Sequence, residues 1–181
     1  MNDENTVRSV RHWVETLVVG LNLCPFAKAE LIKDRVRFAT TAAATEAQLL
    51  AALETELALL DADPAIETTL LIHPEVLQDF HDYNQFLDDA DALLVALGLE
   101  GVYQIASFHP HYQFGGTEPE DAENHTNRSP YPLLHLLREA SLEQAIERFP
   151  GVERIPERNI ALMNDLGRER LQALLNACLD P

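Results

Sequence analysis

Apolar positions along this chain repeat at two periods, and the switches between them divide it into elements. Val7, Val10, Trp13, Val14, Leu17, Val18 and Leu21 recur at helical spacing and predict one apolar helix face. Gly20 and Asn22 weaken that helix, and Pro25 stops it. Residues 35–41 alternate and are rich in β-formers, which predicts a strand. Thr45 with Gln48 makes a capping box for a second helix, whose face is Leu49, Leu50, Leu53, Leu57 and Leu60. Residues 68–72 form a second strand, apolar enough for burial on both faces. Val76, Leu77, Phe80, Tyr83, Leu87, Ala90, Leu94 and Leu97 give a third helix closed by Gly98, and residues 102–108 a third strand.

The pattern then lapses into a polar stretch over residues 110–129, longer than most loops inside compact domains and of the kind that carries function or moves. Ser129 and Pro130 have the signature of a helix cap and first residue, with Leu133, Leu134, Leu136 and Leu137 as the helix they open. Ser141 and Gln144 mark another capping box, and Pro150-Gly151 ends that helix. Residues 156–178 form one helix, or two interrupted at Gly167. Strand, helix, strand, helix, strand with short links predicts an α/β (or α+β) domain over residues 1–181. It would have a small, mainly parallel sheet of about three strands flanked by helices, and a helical C-terminal part. A ferredoxin-like, mixed-direction sheet is the alternative, disfavoured by the lack of Asn-Gly hairpin signals.

Composition narrows the function classes. Asp and Glu number 30 against 13 Lys and Arg, a formal charge of −17. Such a chain lacks the clustered cations that bind nucleic acid or an anionic membrane surface. Its two cysteines, Cys24 and Cys178, are too far apart in sequence for a small disulfide scaffold. The amino terminus is acidic and polar, without a signal-peptide pattern, and no apolar run is long enough for a membrane span. A reducing cytoplasm is the expected compartment.

Three features carry candidate chemistry. If the three strands are parallel, their carboxyl ends share one edge, where open α/β sheets bind ligands. His73-Pro74 and His109-Pro110-His111 follow two of those strands. His109 and His111, two apart, are placed to share a divalent metal such as zinc, with His125 or Cys24 as a third ligand; the pattern matches no established zinc motif. Cys24 is alternatively a nucleophile with His109, His111 or His125 as its base, or a packed apolar thiol. Asn127, Arg128 and Ser129, just before the expected helix start, offer an anion site or serve only to cap that helix and tie down the loop. Bland roles suit the others: Trp13 and Cys178 in the core, His135 as a hydrogen-bonded structural histidine.

Trp13, Leu23-Cys24-Pro25-Phe26-Ala27, Ser107-Phe108-His109-Pro110 with Gln113-Phe114, and Asn127-Arg128-Ser129-Pro130-Tyr131-Pro132 together resemble an uncharacterised bacterial family, the domain of unknown function 1415. The resemblance covers nearly the whole chain and implies a single-domain bacterial protein, with no reaction, substrate or cofactor attached. The residues themselves point to a cytoplasmic enzyme with a Cys/His/Arg pocket for a small anionic substrate. Cys24, His109 and His111 would be catalytic, Asn127, Arg128 and Ser129 would hold the ligand, and His109, His111 and His125 would be available to a metal. The alternative is a non-catalytic module that binds a small acidic ligand or a partner protein; a third reading makes the histidine loop purely structural, its polar groups satisfying one another.

Overall fold

The structure, a computed structural model, describes residues 3–179. Helix α1 (Asp3–Trp13) runs into a wider π-helical stretch, Val14–Val19. There Gly20 N–H donates to the Glu15 carbonyl at 3.1 Å, and a Cβ on Gly20 would lie 2.1 Å from the Thr16 carbonyl oxygen. Gly20 therefore permits the backbone to approach itself, beyond merely weakening the helix. A short helix that the apolar pattern did not predict, α2 (Ala27–Ile32), precedes strand β1 (Val36–Thr40). Helix α3 (Glu46–Ala62) opens on the expected cap: Gln48 N–H donates to Thr45 Oγ1 at 3.3 Å while Gln48 Oε1 accepts from Ala44 N–H at 2.9 Å.

After strand β2 (Thr68–Ile72), helix α4 (Phe80–Ala96) starts later than its apolar positions suggest. Asp79 is its cap, accepting from the His81 and Asp82 amides. Val76 and Leu77 are thus left in the preceding turn, with Leu77 held at a left-handed φ of 58°. Strand β3 (Tyr103–Phe108) follows, then a 3-10 turn (Ala122–Thr126) and strand β4 (Leu133–Arg138). Helices α5 (Glu139–Arg148), α6 (Ile155–Leu166) and α7 (Arg168–Ala177) complete the described chain, the last two separated at Gly167.

The expected helix over Leu133–Leu137 is instead β4, and it changes the sheet. Four strands lie in the order β1-β2-β4-β3. β1 pairs parallel with β2, and β4 pairs antiparallel with both β2 and β3. The sheet is mixed, where a mainly parallel one of about three strands was expected. Apolar residues on both sides of His135 suit a strand buried on both faces as well as they suit a helix. Pro132 decides between them, because its ring forces Tyr131 into an extended conformation and carries the chain straight into the sheet. Helix α5 then begins at Glu139 directly from β4 with no side-chain cap, so the Ser141–Gln144 box is not used.

Since β2 and β3 both oppose β4, β1, β2 and β3 still run in one direction, and their carboxyl ends share an edge. Strand alternation then sorts residues onto two faces. On the front, Ala39, Leu71, Leu134 and Leu136 pack against Leu53, Leu57, Tyr83 and Phe86 of α3 and α4. On the back, Leu70, Ile72 and Leu133 pack against Val10, Trp13, Leu17 and Leu175 of α1, the π stretch and α7, and against Cys178 just beyond α7. Each fully buried side chain of this size contributes about 1.5–3 kcal/mol relative to exposure. Gly20→Ala should cost about 1–3 kcal/mol, because the added methyl meets backbone that moves only by unwinding the π stretch. Urea unfolding checks this, and a variant as stable as the parent would show that the widened turn is not needed.

Candidate functional site

The shared strand edge gathers histidines, as the topology requires. His73 and His109 flank Tyr83, with ring centroids 5.8 Å and 5.1 Å from it. Both imidazoles are fully buried. His73 Nδ1 donates to the Val76 carbonyl at 3.1 Å, and His109 Nε2 donates to the Leu77 carbonyl at 3.1 Å. His109 Nδ1 is also engaged, accepting from the His111 amide at 3.0 Å. With one nitrogen donating to a carbonyl and the other accepting from an amide, the His109 ring is a neutral brace. Burial pushes both imidazoles down to about 4, the neighbouring charge being a smaller influence. His111 stays exposed beside them, its ring 5.9 Å from that of His109.

The long loop is held by its own polar side chains. Buried Asn124 accepts from Phe114 N–H and Thr117 Oγ1 and donates to the Glu118 carbonyl at 2.7 Å. Asn127 Nδ2 donates to the Ser107 carbonyl at 3.0 Å, and Ser129 Oγ to the Tyr131 carbonyl at 2.7 Å. Arg128 donates to the Tyr112 and Pro119 carbonyls at 3.2 Å and 2.7 Å. These residues precede strand β4, so no helix amino end lies beyond Ser129. His125 packs elsewhere, beside Gln172 of α7, and burial together with Arg128 lowers its pKa. Among the described residues, no three His, Cys, Asp or Glu side chains are grouped to hold a metal ion. The His109 pair lacks a third partner, and its buried ring already uses both nitrogens.

Cys24 lies on the other face of the sheet. The π stretch ends at Val19, Asn22 takes a left-handed φ of 54°, and Asn159 Nδ2 of α6 clamps the Leu23 carbonyl at 3.0 Å. Cys24 is thereby delivered to a cavity of about 730 Å³ between the sheet's back face and helices α2 and α5. Leu70, Ala106, Phe108, His135 and Leu137 line its floor. Alternation along β4 puts His135 there, on the face opposite the front core that receives Leu134 and Leu136. Thr68 Oγ1 donates its one proton to the Leu136 carbonyl at 2.6 Å, so its 2.7 Å contact with His135 Nε2 is a bond it accepts. That leaves His135 Nδ1 as a lone pair with no hydrogen-bond partner among the described residues. Burial pushes this imidazole down to about 4, which keeps it neutral.

The rim of the cavity carries Glu30, Lys33, Arg35, Glu67, Arg138 and Arg148. Arg35 pairs with Glu30 and Glu67, and Lys33 with Glu30 at 3.0 Å. Arg138 turns to the Leu60 and Ile66 carbonyls. Exposed Arg148 has no ion-pair partner among the described residues. The sequence expectation grouped Cys24 with His109, His111 or His125, and none of these three lines the cavity that Cys24 reaches. His135 was passed over because its surroundings resembled a buried helix; once residues 133–138 are read as a strand, alternation places it opposite Leu134 and Leu136.

The chain belongs to a protein family described as Protein of unknown function (DUF1415), whose profile matches residues 5–173. No curated protein and no solved structure matches it. No helix among the described residues is long and apolar enough to cross a membrane.

The braced histidines set an acid limit. In the unfolded chain they titrate near 6.5, and in the fold near 4 for His73, His109 and His135. Between those values the unfolded state binds more protons. Their stabilising contribution is therefore complete above about pH 6.5 and falls as pH drops towards 4, by up to about 1.4 kcal/mol per pH unit for each site. Urea midpoints measured across that range should fall steeply, and less steeply in His109→Gln. Equal slopes in parent and variant would show that His109 is not held neutral.

Proposed function

We propose that the protein is a cytoplasmic enzyme whose centre is the back-face cavity, with Cys24 as nucleophile acting on a small anionic substrate and His135 accepting the thiol proton. The observation that carries this is the shared cavity: a half-buried free thiol and an imidazole whose Nδ1 has no hydrogen-bond partner among the described residues line the same space. The Thr68 bond fixes the His135 tautomer, so that the free nitrogen is an acceptor and needs no prior deprotonation. In the reaction, sulfur bonds to an electrophilic carbon of the substrate as the thiol proton passes to Nδ1. The imidazolium then returns the proton to the leaving group as its bond to that carbon breaks; water, giving a proton to Nδ1, attacks the same carbon, the carbon–sulfur bond breaks, and sulfur regains the proton. A base with so low a pKa assists weakly, so its effect belongs at the lower end of the usual range, roughly 10²-fold. Arg138 and Arg148, the rim cations without a carboxylate partner among the described residues, favour an anionic substrate in a chain that is otherwise strongly acidic. Two free thiols suit a reducing compartment.

Timed alkylation with iodoacetamide at pH 7, followed by peptide mass spectrometry, tests the assignment. Cys24 should react at least about tenfold faster than Cys178, which is buried and whose thiol pKa is raised by desolvation. His135→Asn, with folding verified by circular dichroism, should slow Cys24 and leave Cys178 unchanged. A Cys24 rate no greater than that of Cys178, or one indifferent to His135, would overturn the catalytic role.

A further inference from the structure

Resting on that reading of the cavity, we infer that its ligand is an amphipathic monocarboxylic acid, with an apolar body laid along the back of β2, β4 and β3 and a single carboxylate held by Arg148. The strand register sets the polarity along the cavity. Phe108 pairs with Leu133 at the carboxyl edge, where the Phe108 ring meets Trp13 edge-on at 5.3 Å. Ala106 and Leu70 both pair with His135 in the middle. The floor is therefore apolar on both sides of one imidazole, a surface suited to hydrocarbon or an aromatic ring.

The charges at the mouth select the head group. The two rim carboxylates are matched by Arg35 and Lys33, and Arg138 is taken up by backbone carbonyls. Arg148 is left as the one rim cation with neither a carboxylate nor a carbonyl partner among the described residues. Phe149, next to it, rests edge-on against Phe26 at 5.6 Å, two residues from Cys24. The guanidinium and the thiol thus belong to the same end of the cavity. One guanidinium binds a carboxylate with two parallel hydrogen bonds. A polyphosphate would need several free cations, and a cationic ligand would meet Arg148 as a repulsion.

Calorimetric titration with octanoate, 1-octanol and octylammonium, each below its aggregation limit, distinguishes these possibilities. The proteins are the parent, Arg148→Glu, and Arg154→Glu as a control of equal charge change at an exposed site. Octanoate should bind at least about tenfold more tightly than either analogue, and Arg148→Glu should weaken it about tenfold while Arg154→Glu leaves it within twofold. Octanoate should also protect Cys24 from iodoacetamide in the parent. Equal binding of the three probes, no binding of any, or equal effects of the two variants would overturn the acid assignment. In that case fast Cys24 alkylation that depends on His135 would leave the thiol–imidazole centre standing. Slow alkylation would remove both.

Discussion

Strand β4, held between β2 and β3, is the constraint on which the rest of the molecule depends. Among the described residues it is the only strand that β3 pairs with, so without it β3 leaves the sheet. Tyr83 fastens the join from the front core, donating to the Leu133 carbonyl at 2.8 Å and accepting from the Phe108 amide at 3.0 Å. Burial raises the pKa of that hydroxyl, which remains a proton donor at any physiological pH. A two-residue period along β4 then sends Leu134 and Leu136 to one core and Leu133, His135 and Leu137 to the opposite face.

The same residue type does opposite work on the two faces. At the front edge, His73 and His109 are shut away from water, and their N–H groups satisfy the Val76 and Leu77 carbonyls. Buried polar groups need such partners, and here the partners hold Leu77 in a left-handed turn that a leucine rarely adopts. On the back, His135 has one nitrogen tied to Thr68 and the other without a hydrogen-bond partner among the described residues, and it lines a cavity that Cys24 also lines. Both His109 nitrogens are engaged, whereas His73 and His125 each keep a buried nitrogen without a hydrogen-bond partner among the described residues; of these four histidines only His135 lines the back cavity.

Much of the fold was legible because helices such as α3 and strands such as β2 announce themselves by period, and the Thr45 cap sits where its spacing places it. The direction of β1, β2 and β3 was legible too. What misled was Leu133 to Leu137, whose apolar residues lie three and four apart as in a helix yet fill both faces of a central strand. Pro130 and Pro132, one residue apart, were the contrary signal, since each forces its predecessor into an extended conformation. The candidate site was half legible. Cys24 stood out, but the histidine that lines the same cavity could be named only by knowing that residue 135 lies in a strand and on which face. Asn127, Arg128 and Ser129 could be read equally as an anion site before a helix or as ties on the loop, and their donors hold backbone carbonyls of the loop and its flanks.

Nuclear magnetic resonance of the imidazole groups, before and after selective capping of Cys24 with iodoacetamide, asks most directly which histidine shares a space with the thiol. The expected result is a displacement of the His135 ring signals, with those of His73, His109 and His125 left in place. Movement of the His109 or His111 signals with His135 unaffected would contradict the division of the sheet into a braced front and an open back.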